Sequence, residues 1–496
     1  MKTSITIVKD FYIGEVDNNL FSSFIEHLGR AVYDGLYEPD HPDSDEQGFR
    51  KDVIKMVKEL NISLIRYPGG NFLSGYNWKD GIGPKENRPV RLDRAWHSFE
   101  TNQIGINEFY DWTQKTNTQI LGAVNLGTGT PQDAADFIEY CNFPKDTYWS
   151  DLRRKNGHEK PFNIKTWCIG NEMDGPWQIC HLNANEYGKK ALETIKLMKW
   201  TDESIKCVVC GSASSQMPTY PEWDRIILEH TYDYADYLSI HRYFENFNDD
   251  DDFLASFYDM DQFIKTSIAT CDYVKAVKRS KKTLNLSFDE WNIWYQQNQK
   301  PHPWMKAPRL LEDNYSLLDA LAFGGMAITL LNHCDRVKIS CLAQLINVIA
   351  PIMTEPKKGA FRQTIFWPYK DISMYGRGVA LKPLIQTENK ITKSYGEVPA
   401  VIFSTIYNKQ NNEVTIFALN TNKEESSQTT INLSSFNETK MFYRTQLTGT
   451  NLHLSNTLEN PNAVIPMNVN IEEGDNNIYN ILLEKASWNV IRFKVK

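Results

Sequence analysis

The chain lacks any stretch approaching the ~20 consecutive apolar residues that a membrane-spanning helix needs, so no such helix is expected. Clustered Lys and Arg are also missing. The basic residues are scattered and the net charge is −8, a balance that argues against nucleic-acid binding. Met1 to Asp10 has no apolar h-region and no small-residue cleavage site. It does not read as a signal peptide, and a cytoplasmic protein is expected. No Gly-x-Gly-x-x-Gly follows the first strand, so a dinucleotide fold has no support. No cluster of His and Asp has metal-ligand spacing, so neither a metal nor another cofactor is expected. Cysteine is sparse and irregular. Most of the 8 lie in apolar segments, as Cys168, Cys207 and Cys341 do, which fits reduced, buried thiols. Cys207 and Cys210 form a C-x-x-C inside a strand-like run. Residues three apart on a strand face opposite sides, so they are not expected to share zinc.

What is present is enough apolar residue, 41% of 496, for a large core and more than one domain. Strand-like runs and helical patterns alternate. The strands begin at Phe21, Ser63, Gln119, Thr166, Lys206, Tyr237, Leu284 and Val337. Helical spacing covers Gln47–Asn61, Ile106–Thr116, Thr130–Tyr140, Ala184–Trp200, Trp223–Glu229, Phe263–Lys278 and Leu311–Leu331. Eight such alternations over roughly 330 residues predict a (β/α)8 TIM barrel. The four-acid run Asp249–Asp252 reads as a solvated, extended loop. After about residue 376 the texture changes to short strands at Val401, Glu413 and Gln428, separated by Asn- and Lys-rich turns. That predicts a C-terminal antiparallel β-sandwich. The expected division is a barrel over 17–376 and a jelly-roll-like sandwich over 377–496, joined by residues 1–16.

Two strand ends carry the chemistry. Thr166-Trp167-Cys168-Ile169 is an apolar run that breaks at Gly170 and delivers Glu172. Leu284, Leu286 and Phe288 alternate and end at Asp289-Glu290. In a barrel, residues after the strands line the active-site mouth. A single Glu there is more often a solvated or capping residue. A pair is the equipment of a glycoside hydrolase, in which one carboxyl protonates the leaving oxygen and the other attacks the sugar or activates water. Spacing alone does not show that Glu172 and Glu290 face each other. The aromatic content of 12%, with 13 Trp and 24 Tyr, suits a sugar cleft and a large core equally.

With both acids placed, the chain resembles the α-L-arabinofuranosidases of glycoside hydrolase family 51. The motifs are Arg66-Tyr67-Pro68-Gly69-Gly70-Asn71, Asn125-Leu126-Gly127-Thr128, and Trp167 to Gln178 with its Asn171-Glu172-Met173-Asp174-Gly175-Pro176-Trp177 core. His241-Arg242-Tyr243, Asp289-Glu290-Trp291-Asn292 and Gln344 to Pro351 complete the set. The resemblance implies retaining, exo-acting release of terminal α-L-arabinofuranosyl residues from arabino-oligosaccharides. Glu172 matches the general acid/base, which must carry a proton at working pH, and Glu290 matches the nucleophile. Glu26 and Asn71 match residues that bind furanose hydroxyls, and Asn171 the residue on the 2-hydroxyl. Tyr243 matches the residue orienting the nucleophile, with His241 beside it. Trp96, Trp294 and Gln344 match pocket-lining positions. A Gly usually stands where Cys180 is, and an Arg near Gly129. The N-terminal strand usually joins the sandwich, and members are often hexamers, so a homo-oligomer is expected.

Three other readings compete. Another retaining barrel glycosidase, such as an endo-glucanase or xylosidase, would share both acids. An inert carbohydrate-binding barrel would lack one of them. A metal-dependent hydrolase needs a ligand cluster.

Overall fold

The computed structural model describes residues 1–496. Eight parallel strands close into a barrel. They are β1 (Ser22–Phe24), β2 (Leu64–Tyr67), β3 (Gln119–Val124), β4 (Thr166–Ile169), β5 (Lys206–Cys210), β6 (Tyr237–Phe244), β7 (Asn285–Ile293) and β8 (Val337–Ala343). Nearly all their residues are buried, because helices cover the outer face and side chains fill the inner one. Phe24, Leu121, Ala123, Cys168, Val208, Ile339 and Cys341 pack together as one inner cluster. The helices are α1 (Lys51–Leu60), α2 (Ile106–Thr116), α3 (Pro131–Asn142), α4 (Ala184–Thr201), α5 (Glu222–Thr231), α6 (Ser256–Val277), α7 (Leu317–Asn332) and α8 (Phe366–Tyr375).

Local chemistry sets the helix starts. Thr130 caps α3 by accepting from the Asp133 N–H, with Pro131 as the first helical residue. Asn183 does the same for α4 with Glu186, and Ser316 for α7 with Asp319. The Ser316 cap explains why α7 starts at Leu317 and not at Leu311, as apolar content alone suggests. Leu311 itself takes a left-handed φ of 53° that ends any helical path through it. Likewise α1 starts at Lys51 and not at Gln47, because Arg50 turns inward to the carboxylates of Glu38 and Asp52. α6 begins at Ser256, ahead of the expected Phe263. The short helix Tyr148–Lys155 and α8 were not expected from sequence spacing.

Apart from three two-stranded hairpins, the remaining strands form two sheets packed face to face. One has four strands in the order Leu384–Gln386, Lys2–Thr6, Ser427–Asn432 and Ile478–Leu483. The other has seven and includes Tyr12–Glu15, Val379–Leu381, Val401–Asn408, Glu413–Asn420 and Ser487–Val495. Ile5, Val401, Phe403, Ile416, Ile431, Ile481 and Phe493 fill the space between them. The N-terminal strand therefore joins the sandwich. It lies antiparallel to Leu384–Gln386 but parallel to Ser427–Asn432, the one parallel pair in an otherwise antiparallel domain.

The seven-stranded sheet turns its second face to the barrel. Phe417, Leu419, Trp488 and Val490 belong to the same core as α7. That helix is apolar all round and almost wholly buried, which a helix tolerates only between two covering layers. Gly324 permits the contact, since a Cβ there would lie 2.6 Å from the Trp488 ring. The Trp488 indole N–H donates to the buried Asp371 carboxyl at 2.8 Å, and burial pushes that carboxyl up to about 7.

The run Asp249–Asp252 is not an extended loop. Asp249 caps a short helix, Asp250–Leu254, and the acids clasp the sandwich. Asp252 accepts the N–H groups of Lys393 at 2.7 Å and Ser394 at 3.0 Å. Asp251 meets Lys390 at 3.3 Å and Lys423 at 3.1 Å. Sequence shows four like charges; their partners lie more than a hundred residues downstream. Asp252→Ala should lower stability by about 1 kcal/mol, the worth of a charge-assisted hydrogen bond at a partly exposed site. An unchanged midpoint of thermal unfolding would show that the clasp contributes nothing.

Candidate active site

β4 ends at Ile169, and the chain turns sharply through Gly170 at φ 91°. Glu172 follows with φ 41°, a left-handed conformation that is costly for a residue with a side chain and typical of functional turns. The turn aims its carboxyl into the barrel mouth. Oε2 accepts the Trp177 indole N–H at 2.7 Å, and Oε1 lies 2.9 Å from His241 Nδ1. Glu290 sits within β7, where one oxygen accepts from Arg66 and the other from the Tyr243 hydroxyl, both at 2.6 Å. Glu172, His241 and Glu290 each place one donor atom within 4.8 Å of the others. The fold thus brings the two acids together.

Three charged groups support this pair. Arg66 reaches from β2 to Glu290, to Asn171 Oδ1 at 2.6 Å and to Asp289 at 3.6 Å. Asp289 faces His241 Nε2 at 3.4 Å and accepts from Ser239. Burial would raise the Asp289 carboxyl, but the His241 hydrogen bond and the Arg66 charge overcome it and hold it near 2. Burial would likewise lower His241. The Glu290 charge and the hydrogen bonds to Asp289 and Glu172 win, raising the imidazole from 6.5 to about 10. His241 is therefore a cation between three carboxyls.

Glu26, just after β1, is buried and its carboxyl is pushed up to about 8 by desolvation. It accepts from the Phe72 N–H at 2.7 Å and the Trp96 indole at 2.9 Å. Its own N–H donates to Gln344 Oε1 at 2.9 Å. Gly70 lets both Glu26 and Glu290 crowd the backbone, because a Cβ there would stand 2.9 Å from a Glu26 oxygen and 3.3 Å from one of Glu290.

These groups open onto a cavity of 410 Å³. Glu26, Asn71, Trp96, Glu172, Tyr243, Glu290, Trp294 and Gln344 line it. Asn171 and His241 sit one layer behind the wall. Asn171 donates to Asn71 at 3.3 Å, and His241 bridges the acids. Arg66, Asp289, Ser239 and Trp177 complete the site. Arg66, Asp289 and Trp177 stand in the sequence motifs but are given no role there, and Ser239 lies outside those motifs. A signal existed for Arg66, since a charge inside the apolar run Ser63–Tyr67 requires buried partners. The Gly expected at Cys180 also has a reason: Cys180 has φ 56°, the region that favours glycine.

The three donor atoms within 4.8 Å could suit a cation, a cluster that sequence spacing hid. The His241 nitrogens, however, are engaged by carboxyls that stabilise the imidazolium, whereas a histidine that ligates a metal must be neutral.

Comparison with known proteins narrows the chemistry. A family model described as the α-L-arabinofuranosidase 1 domain matches residues 56–279, and one described as the α-L-arabinofuranosidase C-terminal domain matches 289–487. The intracellular exo-α-(1→5)-L-arabinofuranosidase 1 of Bacillus subtilis is 51% identical, with 99% of each chain covered. The chain belongs to the family 51 α-L-arabinofuranosidases. Another member, an exo-α-(1→6)-L-arabinofuranosidase of Bifidobacterium longum, is 43% identical over 99% of this chain and 97% of its own. The solved structure of a family 51 α-L-arabinofuranosidase from the same organism superposes with a TM-score of 0.96 at 42% identity, covering 99% of both chains. Barrel and sandwich are thus the architecture of this arabinofuranosidase family. No helix is long and apolar enough to cross a membrane.

The raised imidazole of His241 ties stability to pH. The folded state binds this proton more tightly than the unfolded one, so its contribution is complete below pH 6.5 and is lost as pH rises through about 10. The stability gap between the wild type and His241→Gln should therefore shrink across that window when unfolding is followed at stepped pH. A gap that is constant from pH 6 to 10 contradicts the charge assignment.

Proposed function

We propose that the protein removes terminal, non-reducing α-L-arabinofuranosyl residues from arabino-oligosaccharides, with retention, by double displacement inside the cell. The observation that carries this reading is the pair of carboxyls, one just after β4 and one within β7, whose oxygens approach within 4.8 Å, in a chain of this family. Retaining glycosidases hold their acids ~5–5.5 Å apart, whereas inverting enzymes need ~6.5–9.5 Å to admit a water.

Glu290 is the nucleophile. Arg66 and Tyr243 fix both of its oxygens, so one lone pair is held toward the anomeric carbon. Glu172 is the acid/base. In the resting geometry it meets two N–H groups, from Trp177 and His241, and so has the hydrogen bonding of a carboxylate. The proton for the leaving oxygen is one that the His241–Glu172 pair shares across its 2.9 Å hydrogen bond. Attack by Glu290 gives a glycosyl-enzyme and removes its negative charge. Glu172 then takes a proton from the water that releases arabinose. Glu26, Asn71 and Gln344 offer hydrogen bonds to the furanose hydroxyls, Asn171 is assigned the 2-hydroxyl from one layer behind the cavity wall, and Trp96 and Trp294 close the walls.

The reading extends to organisation. The barrel spans 17–376, and residues 1–16 and 377–496 form the sandwich. The resemblance implies a homo-oligomer, with a hexamer as the form to test by light scattering. Intracellular action is supported by the names of the relatives.

Hydrolysis of an aryl α-L-arabinofuranoside, with proton NMR of the first anomer released, decides the reaction. Net retention is expected, and inversion would break the assigned roles. Glu290→Ala should remove turnover almost entirely. Glu172→Ala should lose ~10²–10⁴-fold, the share of one acid/base group, with less loss for aryl leaving groups that need no proton. Activity should persist in excess chelator; its disappearance would reinstate a metal at Glu172, His241 and Glu290.

A further inference from the structure

The proposed chemistry leaves unused a second groove, of 380 Å³, beside the catalytic cavity. Gln216, Arg242, Tyr243, Trp294 and Gln296 stand in the walls of both, so the two spaces are continuous. From there the groove runs past Glu245 and Phe247, beyond the end of β6, to Lys393, Ser394 and Tyr395. Those last residues form the tip of the sandwich hairpin made by Asn389–Thr392 and Gly396–Pro399. The hairpin is held in place by the Asp252 carboxyl. The far wall is therefore a fixed surface contributed by the second domain.

Its chemistry indicates the occupant. Trp294 Nε1 and Glu245 Oε1 are buried polar atoms without a hydrogen-bond partner. One is a donor and the other an acceptor, and leaving them unmatched is costly. A hydroxyl can satisfy either. Phe247 is 76% exposed, an aromatic face of the kind that stacks on a sugar ring. The charges disfavour an anion. Glu245, Asp249, Asp252 and Asp259 line the groove, and its Arg242 is already paired with Asp259 at 2.6 Å. A neutral, polyhydroxylated chain fits these surfaces, and the groove opens from the site where such a chain is cut.

We propose that this groove binds the leaving-group side of the oligosaccharide, at sugar units beyond the one next to the cleaved bond, so that the enzyme reads chain length against its accessory domain. The inference rests on the arabinofuranosidase reading and assigns that reading a further subsite.

The test compares kcat/KM for an aryl α-L-arabinofuranoside and for α-1,5-arabino-di-, tri- and tetrasaccharides, in wild type, Phe247→Ala and Tyr395→Ala. Wild type should gain from disaccharide to tetrasaccharide. Each variant should lose about tenfold on the tetrasaccharide, the scale of one stacked aromatic contact, mainly through KM. Both should stay within about twofold of wild type on the aryl substrate, which does not enter the groove. A wild type indifferent to chain length, or variants that lose equally on all substrates, would overturn the proposal. Calorimetric titration of arabinotetraose into Glu290→Ala, with and without Phe247→Ala, gives an answer independent of turnover. Binding about tenfold weaker in the double variant supports the groove, and equal binding refutes it. If wild type cleaves no arabinofuranoside at all, it is the arabinofuranosidase reading that fails, and this titration still decides whether the groove holds the sugar.

Discussion

The site depends on one buried cation. Arg66 is 1% exposed, and a guanidinium out of water is tolerable only if its donors are met by charge or hydrogen bonds. Here they tie β2, which carries Arg66, to two other elements: to Glu290 and Asp289 on β7, and to Asn171 just after β4. Its plane also lies over the Phe24 ring of β1, 4.7 Å from the centroid. A strand end cannot shift along the barrel without unpairing this group. The placement of β2 and β7 and of the turn after β4 is therefore tied to the contacts that hold Glu290.

Around Arg66 the charges alternate. Asp289 lies between Arg66 and His241, and His241 lies between Asp289 and the two glutamates. Glu172, Asp289 and Glu290 each thereby have a cation within reach, and each cation has more than one carboxylate. In low dielectric such a chain is strongly coupled, so in the proposed mechanism a charge lost from Glu290 on forming a covalent bond would be felt at His241 and, through it, at Glu172. The arrangement links the two halves of a double displacement without any group having to move far.

Much of this was legible in the sequence. The eight strands announce themselves because parallel strands are buried on both faces and read as apolar runs, and the acids stand out because each follows such a run, although β7 continues past Glu290 to Ile293. The order along the chain does not disclose which ends meet. That Glu172 faces Glu290, and that His241 lies between them, depends on closure of the barrel. Helix limits failed where a side chain overrode periodicity, as Ser316 does at α7 and Arg50 at α1. Asp249–Asp252 failed for a related reason. A run of like charges looks solvated until the distant lysines and backbone N–H groups that neutralise it are brought near. Asn171 and His241 match the family pattern, yet they lie behind the cavity wall, a distinction that only packing makes.

The helix α7 has a consequence for how the protein can be taken apart. It is apolar on every side because the barrel covers one flank and the sheet bearing Trp488 and Leu419 covers the other. A chain cut ahead of the sandwich would leave that helix with a greasy flank in water, an invitation to self-association. The two layers are thus not interchangeable modules on a linker. An engineer seeking a minimal catalyst would need to redesign the surface of α7 before removing the sheet that covers it.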